Sequence, residues 1–387
     1  MISYQGPQRA GLAIWALILT GCVAGNAPAA PPQVKAAPAP TASTAPKPAT
    51  RPATGPTAPT ATPVVAAPTA PVVDPGFSRP PPGLSEELFE LWRKFPGKTG
   101  IAVVRIDGDW QLAWRGDDLF PQQSVSKLWV TLAALDAVDR GRVSLDDQVR
   151  IAPDDLTLFS QPIASRVRRE GEVRESVASL IAQAINRSDN TANDSLLRHI
   201  GGPKTVRDFL ARKKLGAIRF GPGERLLQAG IAGLEWQQAM SADNSFQAAR
   251  AQLPLEARKA AMDRYLSDPV DGASPAATAR ALARLARGEL LSEAMTKYAL
   301  DTLEKTRTGP NRLRGGLPPG WRFGNKTGTG QNLDPITAGY NDIGIATAPD
   351  GTRYAIVVFL ADTTAAVPAR MQLMQAVSRA VATRHGT

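Results

Sequence analysis

The first string of residues that could do chemistry is Ser124-Val125-Ser126-Lys127. Residues three apart share one face of a helix, so the Ser124 hydroxyl and the Lys127 amine are expected to meet near a helix start. A serine becomes a nucleophile when a base removes its proton, and a desolvated, neutral lysine can act as that base. About one Ser-x-x-Lys string is expected by chance in a chain of this length, so the string alone identifies nothing.

Two further strings carry groups of the same kind. Ser188-Asp189-Asn190 follows an expected helix, and Lys326-Thr327-Gly328 lies on an expected strand. All three strings in this order are expected by chance in about one chain in a thousand. Together they predict a site at which serine hydroxyls and lysine amines move protons.

The composition argues against histidine, thiol and metal chemistry. The 387 residues include one cysteine and two histidines, which excludes an internal disulfide, a cysteine-rich zinc site and an iron–sulfur cluster. His199 lies at an expected helix end and His385 two residues from the C-terminus, where structural roles are typical. We therefore expect proton transfer without histidine, and neither a metal nor an organic cofactor.

The three strings together resemble the signature of class A β-lactamases and penicillin-binding proteins, the penicillin-recognising serine hydrolases. The likeness extends over about residues 84–385, nearly the whole globular part of the chain. The other matching segments are Phe120-Pro121, Asn190 to Asp194, Ile200 to Pro203, Ser274 to Ala277, Gly288 to Leu291 and Leu317 to Trp321. These segments are more typical of class A β-lactamases than of the carboxypeptidases in the same family.

The resemblance implies a role for each catalytic residue. Ser124 is the nucleophile that becomes acylated, and its proton goes to Lys127 or, through a water, to a carboxylate. Ser188 passes a proton to the lactam nitrogen with Lys326 beside it.

The resemblance also implies how the substrate is held. Asn190 binds the side-chain amide of the substrate, and the backbone N–H groups of Ser124 and Thr329 form an oxyanion hole. The hydroxyls of Thr327 and Thr329, on either side of Gly328, hold the substrate carboxylate.

Deacylation distinguishes a lactamase from a penicillin-binding protein, and class A enzymes use a loop glutamate for it. A count without gaps from the Gly-Gly-Pro segment places Glu224 at that position, with Gln228 where the family has Asn. Glu235 is the alternative. Pro222 and Arg225 stand where the family has Arg and Pro, which predicts that this loop is held differently and that deacylation is slow.

Two residues at the edge of the expected site have two possible roles each. Arg370 falls on the last expected helix, where some relatives carry the arginine that binds the substrate carboxylate; a solvated helix charge is the alternative. Phe159 is expected at the cleft mouth, or else in ordinary packing.

The elements that position these residues predict an α/β (α+β) fold. Two antiparallel hairpins, early and late in the chain, are expected to share one sheet flanked by helices, and a helical block over about 125–305 to form a second, all-helical lobe. This is the β-lactamase/transpeptidase-like architecture. The expected strands and the final helix are Ile101–Ile106, Trp110–Trp114, Ile343–Thr347, Tyr354–Leu360 and about 368–384.

The chain is predicted to have three parts. Residues 1–22 are a signal peptide ending in Leu19-Thr20-Gly21-Cys22, which resembles a bacterial lipobox with Cys22 as the lipidated residue. Residues 23–83 are a disordered Pro/Ala/Thr-rich linker, since 17 of the 33 prolines lie between 27 and 82. Residues 84–387 are the hydrolase domain, with an insertion at about 229–273.

These features favour a lipid-anchored serine β-lactamase on the periplasmic face of a Gram-negative envelope, at the outer membrane. The alternatives are a DD-peptidase acting on peptidoglycan stem peptides and a non-hydrolysing penicillin-binding lipoprotein. The net charge of +10 comes without basic runs interleaved with aromatics, so no nucleic-acid partner is expected. The expected partners are a β-lactam or stem peptide and the membrane that holds the anchor, and the domain is expected to be a monomer.

Overall fold

A computed structural model describes residues 79–108 and 110–386. The predicted signal peptide, its Cys22 and nearly all of the predicted linker lie outside these residues. In the part of the chain that is described, no helix is long and apolar enough to cross a membrane.

The described residues form twelve α-helices and nine β-strands, numbered here in chain order. The helices are α1 Leu84–Lys94, α2 Lys127–Asp139, α3 Ala164–Glu170, α4 Val177–Asn186, α5 Asn190–His199, α6 Pro203–Arg212, α7 Glu224–Ala232, α8 Ser245–Gln252, α9 Leu255–Ser267, α10 Pro275–Ala286, α11 Glu293–Glu304 and α12 Val367–Thr383. The strands are β1 Lys98–Arg105, β2 Gln111–Trp114, β3 Gln148–Ile151, β4 Val173–Ser176, β5 Arg322–Thr329, β6 Asn332–Leu333, β7 Ile336–Thr337, β8 Tyr340–Thr347 and β9 Arg353–Ala361.

Five strands form one antiparallel sheet in the order β2-β1-β9-β8-β5. Both expected hairpins are confirmed, because β1 pairs with β2 and β8 pairs with β9. The first and last thirds of the chain meet where β1 pairs with β9 along its whole length, from Lys98 opposite Ala361 to Arg105 opposite Tyr354. The predicted single sheet is therefore confirmed, and β5 lies at its edge.

Each face of the sheet covers an apolar core, which explains why β1, β8 and β9 read as nearly continuous hydrophobic runs. On one face, α1 and α12 pack through Leu88, Met374 and Val377 against residues such as Ile356. On the other face lies the second lobe, which is mainly helical and not all-helical as expected, because β3 and β4 pair within it as a small antiparallel sheet. Its central helix α2 is buried almost all round. The site residues lie where this lobe meets the edge strand β5.

The segment at 229–273 adds helices α8 and α9 beside α7. Met262 and Tyr265 of α9 pack against Leu227 and Ile231 of α7 and against Ala338. Phe246 of α8 is 2% exposed and packs with Leu158, Ala232 and Met240. Apolar contacts therefore fix both helices beside the loop that carries Glu224.

Candidate active site

Ser124 lies in a short 3-10 turn, Gln123–Ser126, that leads directly into α2. This local geometry brings Lys127 back toward the serine, and its Nζ donates a hydrogen bond of 2.7 Å to Ser124 Oγ. The same Nζ forms an ion pair with Glu224, which reaches in from the start of α7. The side chains of Lys127 and Glu224 are 0% and 2% exposed. Three predicted catalytic residues therefore meet in one buried cluster.

The backbone just before the nucleophile is held in an unusual conformation. Gln123 has a φ of 55°, in the left-handed region that a non-glycine residue rarely adopts. Its N–H donates to Asp271 Oδ2 at 2.8 Å, and its side chain donates to the Tyr265 hydroxyl at 2.7 Å. Tyr265 in turn donates to Asp271 Oδ1 at 2.9 Å. Burial raises the pKa of the Asp271 carboxyl to about 6.

Ser188 and Lys326 form a second serine–lysine pair across the cleft. Lys326 Nζ donates to Ser188 Oγ at 3.0 Å, and Ser188 has a φ of 57°. The Lys326 side chain is fully buried, and burial, with a further contribution from the positive charge of Lys127, lowers its pKa well below the usual value. An amine whose pKa is lowered in this way exchanges a proton with a neighbouring hydroxyl more readily than an ordinary lysine does.

Strand β5 passes very close to the segment that carries the nucleophile. A Cβ atom at Gly328 would collide with the Gln122 carbonyl oxygen, so a glycine is required at this position. The neighbouring hydroxyls are aligned along the same strand: Thr327 exchanges a 2.7 Å hydrogen bond with Thr308, and Thr329 accepts one of 2.6 Å from Arg312.

Arg312 is the site residue that the sequence analysis missed. Its guanidinium also donates to the carbonyl oxygens of Gly328 and Asn341 and lies 3.7 Å from the centre of the Tyr340 ring. Arg370, for which the sequence left open a substrate-binding role or a solvated helix charge, is only 8% exposed and so is not a solvated charge. Its Nε donates to the Ala365 carbonyl, and it does not line the cleft.

The loop that carries Glu224 is anchored by Asp194 of α5. Asp194 accepts hydrogen bonds from the backbone N–H groups of Glu224 and Arg225, at 2.9 and 3.3 Å. The Arg225 guanidinium lies 3.8 Å from the same carboxylate and donates to the Asp155 carbonyl. The loop is therefore held by a salt bridge that uses the arginine after the glutamate. Glu235 is exposed and does not line the cleft.

The cleft has a volume of about 510 Å³. Its walls include Ser124, Ser188, Asn190, Glu224, Gln228, Thr327 and Thr329, as the sequence predicted. Phe159 also lies there, at the first of its two expected places, together with Arg250 and Arg312. A larger cavity, of about 660 Å³, lies between α10, α11 and the sheet and contains none of these catalytic residues. Within the described residues no group of His, Cys, Asp or Glu side chains could hold a metal ion.

The family and the relatives agree with this geometry. The sequence model of the Beta-lactamase enzyme family matches residues 83–384. A β-lactamase of Proteus vulgaris is 27% identical over 247 residues, which are 64% of this chain and 77% of that protein. β-Lactamase VEB-1 of Pseudomonas aeruginosa is 27% identical over 266 residues, or 68% of this chain and 78% of that protein.

Solved structures show the same architecture. A β-lactamase from Chitinophaga pinensis superposes with a TM-score of 0.63 at 27% identity, covering 78% of this chain and 98% of that one. The extended-spectrum β-lactamase TLA-3 gives a TM-score of 0.64 at 25% identity, with the same coverage. A serine and two lysines at the junction of an antiparallel sheet and a helical lobe define a serine hydrolase of the penicillin-recognising class. The chain belongs to the β-lactamase enzyme family and is a class A serine β-lactamase within it.

Proposed function

We propose that the protein hydrolyses β-lactams through an acyl-enzyme on Ser124. The observation that carries this proposal is the Lys127 amine, which contacts both Ser124 Oγ, at 2.7 Å, and the Glu224 carboxylate. The Ser124 oxygen attacks the lactam carbonyl while its proton passes through a water to Glu224, or to Lys127 after that amine has given its own proton to the Glu224 carboxylate. The backbone N–H groups of Ser124 and Thr329 stabilise the oxyanion.

Ring opening needs a proton on the lactam nitrogen. Ser188 supplies it, and the Lys326 amine at 3.0 Å replaces the proton that Ser188 gives up. The substrate carboxylate is held by the hydroxyls of Thr327 and Thr329 and by Arg312, which already donates to Thr329. Asn190 binds the amide of the acyl side chain from the opposite wall.

Glu224 acts as the general base that hydrolyses the acyl-enzyme ester on Ser124. Its Oε2 is buried and has no hydrogen-bond partner among the described residues, so this oxygen can accept a proton from an attacking water. The water oxygen adds to the ester carbonyl, Ser124 leaves as its alkoxide, and the proton returns to the serine. Gln228, one helical turn further along α7, also lines the cleft and can hold that water.

We also propose that Cys22 is lipidated and that the linker holds the domain at the periplasmic face of the outer membrane. The apolar run from Ala10 to Thr20 and the Leu19-Thr20-Gly21-Cys22 string support this proposal.

Mass spectrometry of the purified protein with benzylpenicillin, followed over time, tests the acyl-enzyme. We expect a transient adduct on Ser124 that disappears as penicilloate accumulates. A stable adduct without turnover would show a penicillin-binding protein instead. Folded protein that stays unlabelled at Ser124 would contradict the proposal altogether.

A further inference from the structure

The cleft has more positive charge than the proposed reaction uses. Three arginines line it, Arg187, Arg250 and Arg312, against a single carboxylate, Glu224, which is already paired with Lys127. Arg312 is assigned above to the carboxylate of the lactam ring system. Arg187 is exposed and precedes Ser188 directly. Arg250 has no role in the proposed reaction, and it comes from α8 in the added segment.

Arg250 is held firmly at the cleft wall. Its Nη2 donates a hydrogen bond of 2.7 Å to the carbonyl of Asn332, the first residue of β6. The helix that carries it is fixed from the other side by Phe246, whose ring meets Phe159 edge-on at a centroid distance of 5.2 Å. This arrangement ties α8 to both sides of the cleft mouth.

The charge of Arg250 is not neutralised by the protein. Within the described residues it forms no ion pair, and its half-buried guanidinium has an Nε that is buried without a hydrogen-bond partner. Asp334, in the neighbouring hairpin, attracts it from beyond ion-pair distance, and this attraction is weaker than the repulsion by Arg258 of α9. An unpaired guanidinium facing a cleft is suited to bind a carboxylate, because its N–H groups match the two carboxylate oxygens.

The position of Arg250 indicates which carboxylate of the substrate it would bind. Arg312 bonds to Gly328 and Thr329 on β5, whereas Arg250 bonds to Asn332, beyond the end of that strand. Gln331, which lies between Thr329 and Asn332, donates a hydrogen bond to Gln228 of α7. The chain therefore turns here toward the loop that carries Glu224. A substrate with its ring carboxylate at Arg312 and its amide at Asn190 extends its acyl side chain toward α7 and α8.

We propose that Arg250 forms a second carboxylate-binding position, which favours β-lactams whose acyl side chain carries a negative charge. The proposal rests on the function proposed above. Two penicillins isolate the effect: benzylpenicillin and α-carboxybenzylpenicillin differ by one carboxylate in the acyl side chain. The measured quantity is the ratio of kcat/KM for the second to kcat/KM for the first, with the full-length protein.

We expect Arg250→Gln to lower this ratio about tenfold, because a charge-assisted hydrogen bond is lost. Arg250→Lys keeps the charge without the planar fork and should lower the ratio about threefold. The matched control is Arg264→Gln, which removes the same charge from an exposed position on α9 of the same segment and does not line the cleft. This control should leave the ratio unchanged.

The salt dependence of the wild-type ratio provides a measurement that does not depend on any variant. The ratio should fall as ionic strength rises from about 0.05 to about 0.5 M, since screening weakens a half-exposed ion pair. Equal ratios in wild type and Arg250→Gln, or an equal loss in Arg264→Gln, would overturn the inference. If Arg250→Gln fails to fold, Arg250→Lys and the salt series decide. A wild-type protein that forms no adduct with either penicillin would instead contradict the proposed function.

Discussion

At the scale of single residues, the buried contact between Lys127 and Glu224 joins the two halves of the proposed reaction. Lys127 also touches Ser124, which reacts first, and the free oxygen of Glu224 serves the second step. Removing the carboxylate should therefore affect the two steps unequally.

Glu224→Gln should leave acylation measurable and slow deacylation by a factor of about 10² to 10⁴, the usual contribution of a positioned general base. The reason is that Gln can still accept a hydrogen bond from Lys127 but cannot take a proton from water. A pulse of benzylpenicillin followed by mass spectrometry should show an adduct that persists. Glu235→Gln is the matched control, since Glu235 is exposed, and it should behave like wild type. Wild-type hydrolysis by Glu224→Gln would refute the assignment.

The arginine that holds the substrate carboxylate can be identified by a pair of variants. Arg312 donates to Thr329 at 2.6 Å, whereas Arg370 is bound to the Ala365 carbonyl away from the cleft. Arg312→Lys should lower kcat/KM for benzylpenicillin about tenfold, chiefly through KM, because a single ammonium replaces several oriented donors. Arg370→Lys should change it less than about twofold. Steady-state kinetics on both variants, with their melting temperatures as the control for folding, measure the difference, and the opposite ranking would return the role to Arg370.

The contrast between these two arginines shows what the sequence could supply. Ser124 and Lys127 are three residues apart on one helical turn, so their meeting follows from local geometry. Arg312 reaches Thr329 and Asn341 from a loop with no periodic pattern, and its position depends on how that loop packs on the finished sheet. The hairpins and the single sheet were predictable from local patterns, and most of the cleft wall from the resemblance to the penicillin-recognising hydrolases. Contacts that depend on tertiary packing, such as those of Arg312, were not predictable in this way.

At the scale of elements, α9 links the added segment to the nucleophile. Tyr265 is the contact: its hydroxyl accepts from Gln123 and donates to Asp271, and burial raises the pKa of this phenol well above its usual value. The phenol is therefore a neutral donor over the physiological range. Tyr265 lies in the core, where it also supports the left-handed backbone at Gln123.

Tyr265→Phe should destabilise the domain by about 1–3 kcal/mol, because it leaves buried polar atoms of Gln123 and Asp271 without a partner. It should also lower the rate of acylation, since the turn before Ser124 is less well held. Urea denaturation and the rate of adduct formation with benzylpenicillin measure the two effects. Tyr298→Phe is the control, because that hydroxyl makes only a 3.5 Å contact with the Ala178 carbonyl, outside the cleft. Unchanged stability and acylation in Tyr265→Phe would show that α9 does not support the nucleophile.

At the scale of the whole molecule, the domain contains every group that the proposed chemistry needs. Ser124 comes from the helical lobe, Lys326 from the edge of the sheet, and Glu224 from the loop between them. All of these lie within residues 83–384, the part that matches the family. Catalysis and attachment to the membrane should therefore be separable.

Cys22→Ser tests that separation on the full-length protein. A lipid-modified cysteine would hold the chain in the membrane by burying its acyl chains, at about 0.8 kcal/mol per methylene. Serine has no sulfur to which the lipid could be attached. Expressed in a Gram-negative host, the wild-type protein should sediment with outer membranes and resist extraction with high salt. The variant should appear in the soluble periplasmic fraction with unchanged kcat/KM for benzylpenicillin, because Cys22 lies outside the matched domain. If both proteins fractionate alike while both hydrolyse the penicillin, the anchor is refuted and the catalytic assignment stands.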